Sequence, residues 1–257
     1  MSQPHSARMY DYYLGGKDWF AADREAAEAV LGRLPKVRTG ARANRAFMHR
    51  AVRALVREHG VRQFLDIGTG IPTAPNLHQV AQEIAPESRV VYVDNDPLVV
   101  EYADALMRGT PEGRTTYLEA DVRSHDIVAD SHVVDTLDLE QPVALSLVAL
   151  MHFISEEDEP YEMVRRLLEP LAPGSFLVLS HATGQFDPEG AAYFKDIYAT
   201  GKVPFAPRDQ QQVTRFFDGL DLLEPGLVAT HRWRPDAPVV QSDSEIGGFA
   251  GVAQVRQ

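Results

Sequence analysis

The residues best suited to do chemistry in this sequence are an acid and two glycines at alternating positions, Asp66, Gly68 and Gly70. They end an apolar run that is typical of a buried parallel strand turning tightly into a binding loop. Glycine permits a positive φ in such a turn and, because it lacks a Cβ atom, lets the backbone approach a bound molecule closely. A carboxylate at the mouth of the loop would repel a pyrophosphate but would attract a cationic amine. The pattern therefore predicts a site for a nucleotide-like ligand that carries an amino group.

The alternative ligand is a dinucleotide such as NAD or FAD. The dinucleotide-binding pattern requires a third glycine at position 73, where this chain has Thr73. That glycine lets a helix pack closely and present its N-terminus to a pyrophosphate. The Y-x-x-x-K signature of short-chain dehydrogenases does occur, at Tyr198 and Lys202. An intervening glycine and a nearby proline disfavour the helix that would bring both side chains to one face, so a dehydrogenase is the weaker hypothesis.

Two further acids end predicted strands later in the chain. Asp94 stands 24 residues after Gly70, close to the ~20 residues at which an acid binds ribose hydroxyls in nucleotide-binding folds. Asp121 follows the next predicted strand, where a polar side chain can hold an adenine amino group while Val122 packs against the ring. Because the carboxyl ends of parallel strands share one edge of a sheet, we expect these acids to lie together.

Two histidines, His152 and His181, each come just beyond a predicted strand end. Since the unperturbed pKa of histidine is about 6.5, either could remove a proton from a hydroxyl or a protonated amine. The alternative is a buried ring that is satisfied by a backbone carbonyl. No metal site is predicted, because the chain has no cysteine and no H-E-x-x-H motif, and His152 with Glu156 is an isolated pair.

The elements that must position these side chains alternate between strand and helix from position 61 to 180, which predicts an α/β fold with a doubly wound parallel sheet. The 257 residues are expected to form one domain. Its parts are an N-terminal cap and helices over 1–60, a cofactor-binding core over 61–180, and substrate-side helices with a closing β-ribbon over 181–257. The first predicted strand begins the stretch 63–72, which passes through a turn into the glycine loop, and the next strands are 89–94, 115–118, 142–150 and 176–180. The predicted helices are 23–31, 40–59, 76–85, 98–107, 156–169 and 210–217, with a further helix followed by a looser stretch within 188–207. The closing β-ribbon is predicted over 222–223, 227–233 and 249–255.

Composition limits the classes of function. The net charge of −12 argues against an unaided nucleic-acid binder, whose affinity comes largely from cations on phosphates. The absence of cysteine excludes disulfides and fits a reducing compartment. The N-terminus lacks the form of a signal peptide, and the longest apolar run, 143–154, is shorter than the ~18 residues needed to span a bilayer. We therefore expect a cytoplasmic protein with no membrane partner.

One segment departs from the acidic balance. Between Arg33 and Arg62 only Glu58 opposes the positive charges. The segment is either a solvated helix face or a patch for an anionic substrate or partner. Its further cations are Lys36, Arg38, Arg42, Arg45, Arg50, Arg53 and Arg57.

The D-x-G-x-G pattern at 66–70 resembles motif I of the class I S-adenosylmethionine (SAM)-dependent methyltransferases. Two later stretches resemble motifs of the same family in the same order. The stretch 148–153 resembles the motif after the fourth strand, and 167–175 resembles the helix and Pro-Gly turn that enter the fifth. The block 6–24 is similar to a narrower group, the bacterial S-adenosyl methyltransferases of uncharacterised substrate. One departure is Pro72, where many members have a third glycine, and a proline makes the loop stiffer.

We expect a small-molecule acceptor. The resemblance implies a Rossmann-like, seven-stranded sheet with an antiparallel last strand, and SAM as methyl donor. It leaves open the acceptor, the methylated atom and the oligomeric state, and a non-catalytic SAM-binding or SAM-sensing protein is the alternative. It places Asp66 near the methionine amino group and Asp94 on the ribose. The other implied cofactor contacts are Gly68, Gly70, Asn95, Asp121, Val122 and Met151.

The N-terminal block is dense in aromatic residues and shows no helical or strand period. We expect it to be a loop that closes over the cofactor as a lid, with Gly15 and Gly16 giving the freedom to close. Tyr13, Lys17 and Arg24 are its candidate acceptor contacts. The alternative is that the aromatic residues fix this block permanently to the edge of the sheet.

Overall fold

The computed structural model describes residues 3–99, 102, 109–200 and 203–256. The helix predicted over 98–107 lies mostly outside the described residues. The helices are α1 Ser6–Leu14, α2 Ala21–Arg33, α3 Val37–Glu58, α4 Leu77–Ile84, α5 Ser131–Val134, α6 Pro160–Leu168, α7 Pro188–Thr200, α8 Gln210–Thr214 and α9 Asp243–Ile246. The strands are β1 Gln63–Ile67, β2 Arg89–Asp94, β3 Arg114–Glu119, β4 Ala144–Val148, β5 Phe176–Ala182, β6 Leu220–Leu222, β7 Val228–Ala229 and β8 Gly248–Val255.

All eight described strands form one mixed sheet. The strand order is β3-β2-β1-β4-β5-β8-β6, and the two-residue β7 pairs with β8 beside this path. Strands β1 to β5 are parallel, whereas β8 is antiparallel to β5. The predicted doubly wound sheet with an antiparallel last strand is therefore confirmed, and β7 adds an eighth strand to the expected seven. The order reverses between β1 and β4, which opens the crevice where such sheets bind ligands.

The sheet has a buried layer on each face, because neighbouring residues of a strand point to opposite sides. Leu65 of β1 and Leu145 of β4 belong to one apolar cluster, which also contains residues of α6. Phe64 of β1 and Ala144 of β4 belong to the other, which is covered by α3 and α4. This double burial explains why the central strands are near-continuous apolar runs in the sequence.

A third apolar cluster joins the two N-terminal helices to α7. It contains Met9 and Tyr13 of α1, which lie four residues apart on one helix face. The loop predicted over this segment is therefore wrong, since Ser6–Leu14 is a helix that ends at the left-handed Gly15. The helical period was hidden because Arg8 and Asp11, which are polar, are also buried there.

Three of the other differences from the prediction concern how segments begin and end near the site. The helix predicted over 156–169 is interrupted at Glu159, which has a φ of 51°, and α6 begins at Pro160. Strand β5 runs to Ala182, so His181 lies inside a strand and not beyond its end. The ribbon predicted over 227–233 keeps only β7, which passes into a 3₁₀ turn at Thr230–Arg232.

The cations of α3 do not form one free face. Arg50 is buried and donates to the carbonyls of Thr230 and Trp233, and Arg53 pairs with Asp236. Arg45 reaches the cavity described below. Within the described ranges, no helix is long and apolar enough to cross a bilayer.

Candidate active site at the carboxyl edge of the sheet

A cavity of about 480 Å³ lies against the carboxyl ends of the parallel strands and is covered by α1, the start of α3 and α7. It brings together most of the cofactor residues expected from the sequence, which come from the ends of three strands. Met151 is the exception, because its side chain is buried in the core while its neighbours Leu150 and His152 line the cavity. The expected residues that line the cavity are Asp66, Gly68, Gly70, Asp94, Asn95, Asp121 and Val122.

The glycine loop needs its glycines for conformation and for space. Gly68 has a φ of +76°, and a Cβ atom built on it would lie 2.8 Å from Leu150 Cδ1. Gly70 has a φ of +67°, and its N–H donates to Asp94 Oδ2 at 2.8 Å. The second carboxylate oxygen of Asp94 accepts the N–H of Asp96 at 3.0 Å. Asp94 therefore supports the loop that it faces, and burial raises the pKa of its carboxyl.

Asp66 lies in β1 with its carboxyl turned to the cavity. Burial raises the pKa of Asp66 to about 6, although the Ser146 hydroxyl and the positive charge of Arg45 act in the opposite direction. A cationic group bound beside this carboxyl would favour its ionised form.

Arg45 is a cavity residue that the sequence marked only as one cation of a basic run. Its guanidinium donates to the carbonyl of Thr73, to that of Pro75 at 3.0 Å, and to Asn76 Oδ1 at 3.3 Å. Its Nε–H is buried and has no hydrogen-bond partner among the described residues. An unpartnered guanidinium N–H beside a cavity is suited to a carboxylate.

A polar cluster forms at the end of β3. Asp121 accepts hydrogen bonds from the backbone N–H of Arg123 at 3.0 Å and from its Nε at 2.9 Å. Asn95 donates to the same carboxylate at 3.2 Å. The Arg123 side chain lowers the pKa of Asp121 to about 2. Asp121 is therefore an ionised hydrogen-bond acceptor at the edge of the cavity.

The two histidines occupy different environments. His152 Nδ1 accepts the backbone N–H of Ala182 at 3.3 Å, so its neutral ring carries the proton on Nε2. Burial lowers the pKa of His152 well below its ordinary value, with His181 and Arg208 adding to the effect. His181 Nδ1 lies 2.7 Å from the Ala182 carbonyl, and its Nε2 lies 2.9 Å from Arg208 Nη1. Both nitrogens of His181 are thus engaged, and its expected role as a base is not supported.

Arg208, which sequence reasoning missed, organises this part of the site. It is 1% exposed, and each of its five N–H groups has a partner. It holds the loop after β4 against β5, and burial together with Arg208 lowers the pKa of His181 to about 3. Its partners are the carbonyls of Met151 and Ile154, the ring of His181 and the carboxylate of Glu156.

A chain of hydrogen bonds connects the N-terminal helix with the loop after β4. Asn44 donates to the Tyr10 hydroxyl at 2.9 Å, and Tyr10 donates to the carbonyl of Ala41 at 3.1 Å. The Ser180 hydroxyl donates to Asn44 at 2.5 Å and accepts the N–H of Ala149 at 2.9 Å. Ala149 has a φ of 59°, so this chain holds a non-glycine residue in the left-handed region beside the cavity.

Helix α1 lies directly over the glycine loop, since a Cβ atom built on Gly70 would be 4.0 Å from that of Ala7. Arg8 is buried and forms ion pairs of 2.8 Å with both Asp23 and Asp96. These bonds join α1, the start of α2 and the turn after β2. The closed position of the N-terminal block is therefore supported by buried polar contacts as well as by aromatic packing.

Gly16 is required for this closed arrangement. A Cβ atom built on it would lie 2.0 Å from Asp11 Oδ1, so only glycine fits beside that buried carboxylate. Asp11 also accepts the N–H of Asp18 at 3.0 Å. In this arrangement Gly15 ends α1 as its left-handed cap and Gly16 permits the close approach to Asp11, while the closing movement of the block stays a prediction.

Of the three candidate acceptor contacts, only Tyr13 reaches the cavity. Its hydroxyl is buried and has no hydrogen-bond partner among the described residues. Lys17 lies beyond the end of α1 and is exposed, outside the cavity lining. Arg24 is also exposed, pairs with Glu28 at 3.7 Å and lies over the Trp19 ring. The predicted roles of Lys17 and Arg24 are not supported, because both side chains point to solvent.

The far end of the cavity is an aromatic chamber, which we define by Phe153, Phe194, Tyr198 and Phe205. The Tyr198 and Phe205 rings stack with centroids 5.5 Å apart and planes 17° apart. Phe194 stacks on both rings, and Phe153 meets Tyr198 edge to face at 5.3 Å. His152 contacts Phe153 and Phe205 and so lies where the chamber meets the loop after β4.

The chain matches the model of a family described as S-adenosyl methyltransferase over residues 1–256. It is 48% identical to a DUF574 family protein from Streptomyces avermitilis MA-4680, with 98% of each chain covered and a TM-score of 0.96. It is 36% identical to a putative methyltransferase from Thermobifida fusca YX, covering 100% of this chain and 97% of that one, with a TM-score of 0.91. No curated protein matches the chain significantly.

The fold also resembles that of the N-methyltransferase NodS from Bradyrhizobium japonicum WM9 in complex with S-adenosyl-L-homocysteine. The two chains are 14% identical. The superposition covers 97% of this chain and 100% of that one, with a TM-score of 0.53. At this identity the likeness concerns the fold alone. The family match over nearly the whole length and the two relatives above 30% identity carry the assignment. The chain belongs to the S-adenosyl methyltransferase family and is a SAM-dependent methyltransferase.

Proposed function

We propose that this methyltransferase transfers the methyl group to a small molecule that binds in the aromatic chamber. The observation that carries the proposal is that one cavity contains both the glycine loop and the chamber. Its volume of about 480 Å³ lies within the ~300–1,000 Å³ of small-molecule sites. The net charge of −12 supports the same reading, since a nucleic-acid acceptor would meet an acidic protein.

The residues of the glycine end fit SAM. The Asp66 carboxyl is suited to the amino group of the methionine part, and the unpartnered Nε–H of Arg45 is suited to its carboxylate. Asp94 retains lone pairs for ribose hydroxyls after it has accepted the N–H of Gly70. Asn95, Asp121 and Val122, at the next strand end, would hold the adenine, whereas Met151 has no part in this set.

Methyl transfer requires few functional groups from the protein. Bound SAM supplies a methyl group on a positively charged sulfur, which is already activated for transfer. Alignment of the acceptor therefore provides most of the rate gain. The aromatic chamber would fix the plane of the acceptor, and Tyr13 and His152 would fix its polar atom. The whole chain, 1–257, would act as one catalytic domain, because both its N-terminal helix and its last strand contribute to the cavity.

Two other functions fit parts of the sequence. A non-catalytic SAM-binding protein would share the glycine end. It would not need an aromatic chamber in the same cavity as the cofactor site. A short-chain dehydrogenase would need Tyr198 and Lys202 together. Tyr198 is buried in the third apolar cluster, and Lys202 lies outside the described residues.

Calorimetry with S-adenosylhomocysteine (SAH) and with NAD⁺ tests the glycine end. We expect micromolar binding of SAH and none of NAD⁺. The Arg45→Gln variant should bind SAH at least ~10-fold more weakly, as for a lost hydrogen bond to a charged group. Arg53→Gln, which removes a nearby cation outside the cavity, is the matched control. Equal affinity in wild type and Arg45→Gln would contradict the assignment of the carboxylate to Arg45.

A further inference from the structure

We propose that the acceptor is a planar phenol that binds as its phenolate, with the oxygen held between the Tyr13 hydroxyl and the Nε2–H of His152. The inference rests on the proposed function and names the class of substrate for the same cavity. It has three independent supports: the shape of the chamber, the two donors on residues that line the same cavity, and the lack of a free base beside them.

The chamber is suited to a flat aromatic ring. Three of its rings, those of Phe194, Tyr198 and Phe205, lie within 26° of parallel, with centroids 5.5 to 5.7 Å apart. Phe153 and Phe205 are only partly buried, so their rings offer apolar surface to a ligand. A further ring can extend such a stack in an offset or edge-to-face arrangement, which contributes ~0.5–1.5 kcal/mol beyond burial alone.

The first donor is the Tyr13 hydroxyl. The residue is 2% exposed, lines the cavity and leaves its hydroxyl without a partner among the described residues. Burial, with a contribution from Tyr198, raises the pKa of Tyr13 above its ordinary value, so the hydroxyl keeps its proton. A buried hydroxyl without a partner is costly, and the cost is removed when a ligand accepts its hydrogen bond.

The second donor is His152. Its Nδ1 is occupied by the N–H of Ala182, and its Nε2 has no partner among the described residues. The ring therefore offers an N–H to the chamber and no lone pair. The Nε2–H of His152 can only donate, and the Tyr13 hydroxyl can donate beside it, so the pair is suited to an oxyanion whose lone pairs accept both hydrogen bonds.

Among the described residues at the chamber end of the cavity, no carboxylate or imidazole is free to take a proton from the acceptor, and the carboxyls of Asp66 and Asp94 belong to the glycine end that the proposed function assigns to SAM. From β5, His181 has both nitrogens engaged, and Arg208, which faces it, is a cation. At the rim, Asp187 is paired with Lys36 at 2.5 Å. Glu245 accepts the N–H and the hydroxyl of Ser242 at the start of α9. The proton must therefore leave the phenol before the reaction, and it goes to solvent.

The reaction then needs no proton transfer on the protein. A lone pair of the phenolate oxygen forms the new O–C bond to the methyl carbon while the C–S bond breaks. The electron pair of that bond goes to sulfur, so the anion and the sulfonium leave as a neutral ether and a neutral thioether. Tyr13 and His152 hold the oxygen and keep their own protons throughout.

The first test measures ionisation of a bound phenol without turnover. Para-nitrophenol is titrated by absorbance in the presence of the protein saturated with SAH. We expect its apparent pKa to be lower when bound than when free. In Tyr13→Phe and in His152→Ala the phenolate should bind at least ~10-fold more weakly, as for a hydrogen bond to a charged group. Tyr12→Phe is the matched control, because the Tyr12 hydroxyl bonds to the exposed Glu28 outside the cavity.

The second test follows kcat/KM against pH for phenols of similar shape and different acidity. We expect the rising limb to follow the pKa of each phenol. A limb that stays at one pH for every phenol would reveal a base on the protein and overturn the proposal, as would an unchanged or raised pKa of bound para-nitrophenol. Calorimetry with SAH separates these failures from that of the proposed function. If SAH binds normally while the phenol tests fail, the methyltransferase stands and its acceptor belongs to another class.

Discussion

The carboxylate of Asp94 accepts the backbone N–H of Gly70 at 2.8 Å, so the residue expected to bind the ribose also holds the loop that binds the cofactor. The two functions are linked because both use the same buried carboxyl group. A substitution at this position therefore changes the free protein as well as the complex.

Asp94→Ala is expected to lower SAH affinity by ~1.5–3 kcal/mol and also to lower the free energy of unfolding by ~1–3 kcal/mol, since the N–H groups of Gly70 and Asp96 lose their acceptor. Asp94→Asn keeps one carbonyl oxygen and should lose less stability than Asp94→Ala. Calorimetry and thermal unfolding measure the two effects separately. If affinity falls while unfolding is unchanged in Asp94→Ala, the structural role is refuted.

Gly68→Ala is expected to weaken SAH binding at least ~10-fold, because the new Cβ atom must displace Leu150 at the cavity wall. It also places alanine at a positive φ, which costs ~1–2 kcal/mol. Gly60→Ala is the control, since Gly60 lies outside the cavity, has a φ of +68° and would leave an added Cβ atom with no neighbour within 4 Å. Both variants should lose stability, but only Gly68→Ala should lose SAH affinity. Equal SAH affinities of the two variants would show that Leu150 can move aside without weakening SAH binding.

The N-terminal block is expected to be held in place even in the ligand-free protein. Backbone amides of α1 should exchange slowly with and without SAH, because Arg8 fixes this helix through Asp23 and Asp96. Arg8→Ala leaves two buried carboxylates without their cation and should cost ~3–5 kcal/mol, with faster exchange over 5–24.

Arg24→Ala removes only an exposed pair and should change stability by less than ~1 kcal/mol. The opposite result, protection of α1 that is gained only when SAH binds, would restore the view of this block as a lid. Exchange with SAH and exchange without it are measured on the same peptides of 5–24, so the two rates can be compared directly.

SAH affinity is expected to rise as the pH increases through about 6. The folded pKa of Asp66 is raised to about 6, above the ~3.9 of an unfolded aspartate, so the native protein binds this proton more tightly. As the pH rises from about 4 to about 6, this group therefore lowers the free energy of unfolding progressively. A bound cationic amine favours the carboxylate, so binding releases the proton below pH 6. Calorimetry in buffers of different ionisation enthalpy counts these protons, and Asp66→Asn should abolish the release. A pH-independent affinity would argue that Asp66 does not face the amino group.

The strands and the glycine loop could be predicted because their signals are local. The apolar run before Asp66 and the run that ends at Asp94 coincide with the residues where β1 and β2 are found. The positive φ of Gly68 and Gly70 follows from a tight turn after a buried strand. Neighbouring residues were sufficient for these inferences.

The remainder depends on contacts between distant residues. Nothing near Arg208 in the sequence indicates that its side chain would hold residues 27 to 57 positions earlier. The tautomer of His152 is set by an N–H that lies 30 residues away. Arg45 was indistinguishable from its basic neighbours until the cavity was located. Roles of this kind follow from the fold and not from spacing.

The third apolar cluster has a consequence for biosynthesis. It joins Met9 and Tyr13, which leave the ribosome early, to Tyr198, which leaves it late. Because a chain is synthesised from its N-terminus, α1 must wait through nearly the whole of translation before the partner that completes its burial exists. Until then the cluster lacks the side that α7 covers. The enclosed cavity is therefore among the last parts of the molecule to form. A chain interrupted before α7 would lack β8 and would expose the unpaired edge of β5, to which chaperones can bind.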